Sequence, residues 1–189
     1  MKKKTIIIIA VIAVAVIVIG AIVGGYNGLV DKEESVKTAQ SQISNQLQRR
    51  ADLIPNFVNT VKGYTEYEQS TYQAVTEARA AVGKADSVTE QQQASEQLDR
   101  AVSIWVNAVT EAYPDLKAEK QFTALTDELS GTENRIAVAR RDYNEIAKEY
   151  NSSIRKFPKS IIASLFGFET VDYFEASAGA DTVPEVSFD

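Results

Sequence analysis

An uncharged run near the N-terminus constrains this chain more than any other feature. Three lysines at positions 2–4 precede the run, which covers residues 5–23 with Ile, Val or Ala at almost every position and one glycine, Gly20. A helix of this length measures about 28 Å, close to the ~30 Å hydrocarbon core of a bilayer. Because hydrocarbon offers no water to backbone amides, a single spanning segment must satisfy them internally, as a helix does. We therefore predict a transmembrane helix over residues 5–25.

A cleaved signal peptide is the alternative interpretation of this run. Signal peptides usually contain a hydrophobic region of about 7–15 residues, which is shorter than the run here. Small residues suited to cleavage occur only at Val23-Gly24-Gly25, and the chain has no cysteine that could carry a lipoprotein anchor. The sequence therefore favours a signal-anchor helix that remains part of the protein.

Charges on the two sides of the run predict its orientation. Lysines occupy positions 2–4 on one side, whereas residues 26–34 on the other side contain one lysine and three acidic residues. Positive residues that flank a span tend to stay in the cytoplasm. We expect residues 1–4 to form a cytoplasmic basic flank, and the chain after the span to lie outside the cytoplasm at the cell membrane.

Composition excludes several classes of function. The chain has 189 residues, a formal net charge of −6, no cysteine and no histidine. An acidic domain has no electrostatic reason to bind nucleic acid. Without Cys or His, thiol catalysis, disulfides, Ser–His chemistry and most zinc sites are excluded, whereas carboxylate chemistry and calcium binding remain open. We expect no cofactor, no nucleic-acid partner and no enzymatic activity.

The last long segment has the clearest helical pattern. Its apolar positions step by three and four residues, with one polar member: Phe122, Leu125, Leu129, Thr132, Ile136, Ala139, Tyr143, Ile146 and Tyr150. Such a stripe is typical of a helix that packs against other helices at a shallow crossing angle, as in coiled coils. We expect Leu129 and Ile136 to be core residues.

Three further segments show a helical period. The first, about Val30 to Arg50, continues from the anchor, with a kink expected at Gly24, Gly25 and Gly28. The second begins near Pro55, because proline favours the first turn of a helix, and the third ends before Pro114. Their stripes are Val36, Ile43 and Leu47; Phe57, Val61, Tyr64, Glu68, Thr71, Val75, Ala78 and Val82; and Leu98, Val102, Trp105, Val109 and Ala112. A turn over residues 83–87 separates the last two, with Ser87 or Thr89 as the next N-cap.

These segments predict an all-α fold. Four helices joined by short connections form an elongated antiparallel up-down four-helix bundle over residues 26–176, preceded by the transmembrane helix. The apolar stretch 161–168 either caps one end of this bundle or meets the membrane surface or a partner. Residues 177–189 are small and acidic, which is typical of a disordered tail.

Several long blocks occur in order along the chain. They are Gln46-Leu47-Gln48-Arg49-Arg50-Ala51-Asp52-Leu53-Ile54-Pro55-Asn56, then Glu111-Ala112-Tyr113-Pro114-Asp115-Leu116, then Gly131-Thr132-Glu133-Asn134-Arg135-Ile136-Ala137-Val138-Ala139-Arg140-Arg141-Asp142-Tyr143-Asn144, then Phe166-Gly167-Phe168. With these blocks, the chain from about residue 26 to 174 resembles the bacterial LemA family. The resemblance implies a single-pass membrane protein with a helical bundle, and it implies no established activity, cofactor or ligand.

Two polar clusters within these blocks are the candidate partner-binding residues: Arg49, Arg50 and Asp52 in one, and Asn134, Arg135, Arg140, Arg141, Asp142 and Asn144 in the other. One interpretation is structural, with guanidinium–carboxylate pairs fixing helix register and Asp52 capping the helix that begins near Pro55. The other is a surface for a protein partner or a small anionic ligand, which arginine forks suit. Catalysis is disfavoured because no nucleophile–base pair can be drawn without His or Cys.

The sequence thus predicts a membrane-anchored, non-enzymatic interaction or scaffold protein. The alternative is an envelope sensor or binding module that holds a small anionic ligand or peptide at the arginine clusters. Gly20, Gly24 and Gly28 recur every four residues, a spacing that lets transmembrane helices approach closely and form a homo-oligomer. The same glycines could instead serve only to loosen the junction between anchor and bundle.

Overall fold

A computed structural model of the chain describes residues 3–62 and 69–175. Within these residues it contains five α-helices, one 3-10 helix and no strand, which confirms the all-α prediction. The helices are α1 (Lys3–Lys62), α2 (Gln69–Val82), α3 (Val88–Ala112), α4 (Lys120–Arg155) and α5 (Lys159–Phe166), with the 3-10 helix over Pro114–Ala118. The predicted stripe residues Tyr64 and Glu68 and the acidic tail lie outside the described residues.

α1 is one continuous helix, which corrects two expectations from the sequence. It passes through the glycines at 24–28 without a break, and it passes through Pro55, where we expected a new helix capped by Asp52. A proline inside a helix removes the N–H that would bond the carbonyl four residues earlier, here that of Ala51. The Nε of Arg79 in α2 donates to this carbonyl oxygen at 3.1 Å, so the lost helical bond has a replacement.

The N-terminal part of α1 is apolar and exposed. Over its most apolar stretch of 18 residues the mean hydropathy is 3.5, and none of that stretch is buried. Among the described helices it alone is long and apolar enough to cross a membrane. The first buried residue of α1 is Leu29, with none of its surface exposed.

The chain divides into two compact units. The first comprises Met1–Ala39 with Tyr143–Val171, and therefore contains the start of α1, the end of α4 and α5. Its buried side chains include Leu29, Val36, Tyr143, Ala147, Tyr150, Ile154 and Ile162. Tyr26 contacts Phe166, with ring centroids 4.8 Å apart. Burial raises the pKa of Tyr150, and the nearby carboxylate of Glu33 adds to the shift.

The second unit comprises Gln40–Asp142 with Asp172–Asp189. Its core joins three helices at Phe57, whose ring lies 4.8 Å from Trp105 of α3 and 5.1 Å from Phe122 of α4. Leu129 and Ile136 are 4% and 3% exposed, so the predicted core residues of α4 are buried. The polar member of that stripe, Thr132, is fully buried and donates its hydroxyl to the carbonyl of Leu129 at 2.7 Å.

Local sequence explains the two ends of α3. Ser87 is the N-cap: its side chain accepts from the N–H of Glu90, and the Glu90 carboxylate accepts from the N–H of Ser87. This reciprocal pair is a capping box, which satisfies two amides that the helix leaves free. At the other end α3 stops at Ala112, and Tyr113 before Pro114 is non-helical with φ −133°. The sequence predicted the end of α3 before Pro114 and left Ser87 and Thr89 open as its N-cap, of which the structure has Ser87.

Candidate functional site

The candidate site is a cluster of charged residues in the second unit, centred on the buried side chain of Arg50. The Arg50 side chain projects from α1 and is 4% exposed, and its Nη1 lies 2.5 Å from Oδ1 of Asp99 in α3. Its Nη2 lies 3.6 Å from a carboxylate oxygen of Glu133 in α4. One guanidinium therefore links three helices through two acids.

The Arg50–Asp99 pair is short but imperfect. The two closest atoms do not meet at hydrogen-bond angles, and the Nε of Arg50 makes no hydrogen bond within the described residues. Burial raises the pKa of Asp99, and this cost outweighs the lowering that the positive charge of Arg50 produces. Desolvating an ion pair often costs more than the attraction returns. The attraction within the pair is therefore offset, at least in part, by the desolvation of Asp99.

Arg140 is the second partly buried arginine of the cluster. Burial lowers its pKa, opposed by the negative charges of Asp99 and Glu96. Its guanidinium carbon lies 5.3 Å from the ring centroid of Phe174, a distance suited to a cation–π contact. Nε and Nη2 of Arg140 are buried and make no hydrogen bond within the part of the chain that the structure describes.

The other three predicted arginines, Arg49, Arg135 and Arg141, are exposed and form ion pairs at the surface. Arg49 and Arg135 both donate to the same carboxylate oxygen of Glu128, each at 2.8 Å. Arg141 donates to its neighbour Asp142 at 3.0 Å. Exposed pairs of this kind are worth about 0–1 kcal/mol. They contribute little to stability and remain accessible to a partner.

Asp52 was expected to cap a helix or pair with an arginine of α4, and it does neither. It lies in the interior of α1 and accepts from Gln48 at 2.9 Å. Its other neighbour is Arg79 of α2, at 3.7 Å. The true partners of the arginines, Asp99 and Glu128, were missed, because no local pattern distinguishes them from ordinary surface acids.

A shallow groove in the second unit brings several predicted residues together. It has a volume of about 460 Å³ and is lined from α1 by Gln42, Asn45 and Gln46, and from α4 by Asn134, Arg135, Val138, Ala139 and Asp142. The carbonyl oxygen of the Gln46 side chain is buried and has no hydrogen-bond partner among the described residues. The groove thus offers amide and charged groups to anything that enters it.

The remaining predicted residues lie apart from this site. Asn144 is half-buried and belongs to the first unit. Gly20 and Gly24 lie on the exposed part of α1, and no atom of the described chain comes within 4 Å of the position of a Cβ at either residue. Among residues 3–62 and 69–175, no cluster of acidic side chains has the arrangement that a metal ion requires.

These features define an all-α protein with a long apolar N-terminal helix that is compatible with a membrane anchor. A model of the LemA family matches residues 39–188. Protein LemA of Metamycoplasma hominis is 30% identical over 156 residues, which cover 82% of this chain and 71% of that protein. The chain belongs to the LemA family, as the sequence blocks predicted.

Magnetosome proteins are also similar to this chain. Magnetosome protein MamQ 2 of Paramagnetospirillum magneticum is 26% identical over 182 residues, covering 83% of this chain and 67% of that protein. Magnetosome protein MamQ of Magnetospirillum gryphiswaldense is 25% identical over 182 residues, with the same coverage of both chains. Both the LemA protein and the magnetosome proteins are therefore similar to this chain over most of its length.

Proposed function

We propose that this chain is a single-pass membrane protein whose helical domain, an up-down four-helix bundle, acts as a non-enzymatic interaction or scaffold module. The observation that carries the proposal is the form of α1. Its exposed apolar part continues without a break into the part that carries the buried residues from Leu29 onward. A helix of this kind suits a protein that holds a folded surface at a membrane.

The charged side chains support a binding role rather than a catalytic one. The buried guanidinium of Arg50 faces acids of the chain itself, and the sequence offers no His or Cys to pair with a nucleophile. The groove between α1 and α4 is open and combines an apolar surface, which includes Val138, with the polar groups of Asn134 and Arg135. Such a lining suits a peptide segment or a polar protein surface, which amide and arginine donors can bind.

Photo-crosslinking in living cells tests this role. A photoreactive amino acid is placed at Asn45 or Asn134 in the groove, and as matched controls at Ser103 or Asn107, which are exposed on α3. We expect a discrete crosslinked protein from the groove positions that is absent from the control positions. Equal crosslinking at all four positions, or none at the groove, would remove the groove as the interaction surface.

We further propose that the N-terminus is cytoplasmic and the helical domain extracytoplasmic. The lysines before the apolar run and the acidic residues after it support this orientation. Because the chain has no cysteine, Thr38→Cys introduces a single thiol, exposed on α1 after the run. A membrane-impermeant maleimide should label it in intact spheroplasts. Labelling only after lysis would reverse the orientation.

A ligand-binding module is the second candidate function. The observation that favours it is the set of buried guanidinium nitrogens on Arg50 and Arg140 that lack hydrogen-bond partners among the described residues. A small anion at this place would raise the unfolding temperature, because a ligand that binds only the native state stabilises it. Inorganic phosphate and acetate are the probes. A rise that Arg140→Gln abolishes would favour this function over the scaffold.

A further inference from the structure

α5 carries apolar side chains on two opposite faces. Ile162 and Ala163 face the protein, being 7% and 3% exposed, whereas Ile161 and Leu165 are 61% and 72% exposed. Phe166 at the end of α5 is also half exposed. Large apolar side chains on a second face of a helix favour an apolar environment on that side as well. The protein supplies only one of these environments.

Contacts within the first unit place α5 beside the point where the apolar run of α1 ends. Tyr26 contacts both Phe166 and Phe168, with ring centroids 4.8 and 5.7 Å apart. A Cβ added to Gly25 would collide with the end of the Ile162 side chain, so α5 packs directly on the α1 backbone. Tyr26 lies three residues after Val23, which is about 4.5 Å along the helix.

Two features hold α5 in this position. The side-chain amide of Asn151 in α4 donates to the carbonyl of Val171 at 2.8 Å and accepts from the N–H of Val171 at 2.9 Å. These two hydrogen bonds attach the backbone after α5 to α4. Gly167 ends α5 with φ 78° and ψ 27°, a left-handed conformation that glycine adopts without steric cost. The exposed face of α5 is therefore part of a fixed surface.

We propose that the exposed face of α5, formed by Ile161 and Leu165, inserts into the headgroup–acyl boundary of the same bilayer that α1 crosses. The inference rests on the proposed membrane anchor. Residues just past the end of a span lie at the depth where interfacial helices bury their apolar faces, about 5–10 Å into this boundary. Aromatic side chains concentrate at the same level, as Tyr26 and Phe166 do here.

Charge at the start of α5 favours lipid over a second protein as the occupant. Arg155 and Lys156 are exposed at the end of α4, and Lys159 begins α5. Basic side chains at this level can donate hydrogen bonds to the phosphates of lipid headgroups. An apolar face bordered by cations is the usual composition of a helix that lies in a membrane interface.

Depth-dependent quenching of a fluorophore tests the proposal on the full chain. Single cysteines replace Leu165 or Ile161, and an environment-sensitive dye is attached in vesicles of phosphatidylcholine with phosphatidylglycerol. The vesicles carry a nitroxide either near the headgroup end of the acyl chain or near its terminus. The matched control is Thr38→Cys, which is exposed on α1 about 22 Å beyond the end of the apolar run along the helix axis. Ile12→Cys, in the middle of the run, reports on the anchor.

We expect the shallow nitroxide to quench the Leu165→Cys and Ile161→Cys labels at least about twofold more strongly than the Thr38→Cys label, because only the former lie in the boundary region. The deep nitroxide should quench Ile12→Cys most. Unquenched labels on α5 beside a quenched Ile12→Cys would overturn the α5 proposal and leave the anchor standing. An unquenched Ile12→Cys would overturn the anchor itself. A label on α5 that is shielded from water yet unquenched by either lipid would assign the face to a protein partner and contradict the proposal.

Discussion

The Nε of Arg79 donates a hydrogen bond to the carbonyl oxygen of Ala51, the one acceptor in α1 that Pro55 deprives of its helical donor. Ala51 is 1% exposed, so water has little access to that carbonyl. A buried acceptor without a partner costs about 1–3 kcal/mol. The proline inside α1 and the arginine of α2 are therefore coupled.

A double-mutant cycle tests this coupling. Arg79→Ala should lower the free energy of unfolding by about 1–3 kcal/mol in the natural chain. In a Pro55→Ala background the loss should be smaller, because residue 55 then supplies the helical donor. Unfolding by urea in detergent micelles measures both. Arg100→Ala, which removes an exposed arginine of α3, is the control, and equal losses from Arg79→Ala in both backgrounds would show that the hydrogen bond is irrelevant.

Arg50 and Arg49 are neighbours in sequence with opposite environments, so they form a matched pair of substitutions. Arg50→Ala removes a buried side chain and leaves the half-buried Asp99 without its partner, so it should cost more than about 1 kcal/mol, with about 3–5 kcal/mol, the cost of breaking a fully buried pair, as the upper limit. Arg49→Ala removes an exposed pair with Glu128 and should cost about 0–1 kcal/mol. Urea midpoints in detergent distinguish these outcomes. Similar values for the two variants would contradict the burial of Arg50.

Asp99 should make stability depend on pH. Burial raises its pKa above the ordinary value of 3.8, so in the window between 3.8 and the higher folded pKa the native state binds more protons than the unfolded state. The contribution of Asp99 to stability therefore rises as pH falls through this window and is lost as pH rises through it. Asp99→Asn should remove that dependence. Urea titrations at several pH values between neutral and acid give the free energy of unfolding of the natural chain and of Asp99→Asn. If this free energy changes with pH in the same way for both, Asp99 does not contribute to the pH dependence.

The apolar stripe of α4 predicts at which residues truncation to alanine lowers the stability of the protein. Ile136→Ala and Leu129→Ala should each cost about 2–5 kcal/mol, because both side chains are at least nine-tenths buried. Ile104→Ala on α3 is the control of the same size, since Ile104 is 63% exposed and should change stability by less than about 0.5 kcal/mol. Thermal unfolding followed by circular dichroism provides the measurement. An unchanged midpoint for Ile136→Ala would mean that another face of α4 is buried.

The anchor is expected to self-associate through Gly20 and Gly24. Both positions are open in the described chain, whereas Gly25 lies against Ile162 of α5, so Gly25 packs within the protein and the pair Gly20 and Gly24 is free for another helix. Small residues let transmembrane backbones approach closely. Changing Gly20 and Gly24 to Ile should abolish association in a membrane-reporter assay and leave insertion intact. Equal reporter signals from the natural sequence and the double variant would show that these glycines do not mediate association, in favour of a monomer in the membrane.

Features that depend on neighbouring residues were predictable from the sequence. The buried face of α4 follows from the spacing of Leu129, Ile136 and Tyr143, and the start of α3 follows from Ser87 with Glu90 three residues later. In both cases the information lies within one or two helical turns. The family blocks added the family, which the comparisons confirmed with a family model that matches residues 39–188.

Features that depend on distant partners were not predictable in this way. Pro55 was interpreted as a helix start because proline usually costs about 3 kcal/mol inside a helix. The residue that compensates, Arg79, lies beyond a connection and in another helix. Asp99 and Glu128 were missed for the same reason. Which acid meets which arginine depends on how the helices pack, and a single sequence without that geometry cannot show it.

The unbroken passage of α1 through Gly24 and Gly25 has a consequence for how the protein responds to its lipid. A span whose length does not match the local bilayer adjusts by tilting or by deforming the lipid. Because α1 is unbroken between Val23 and Leu29, a tilt of the proposed span would carry Tyr26 and α5 with it. Bilayer thickness would therefore act on this protein as a mechanical input, set by the membrane in which the chain is placed.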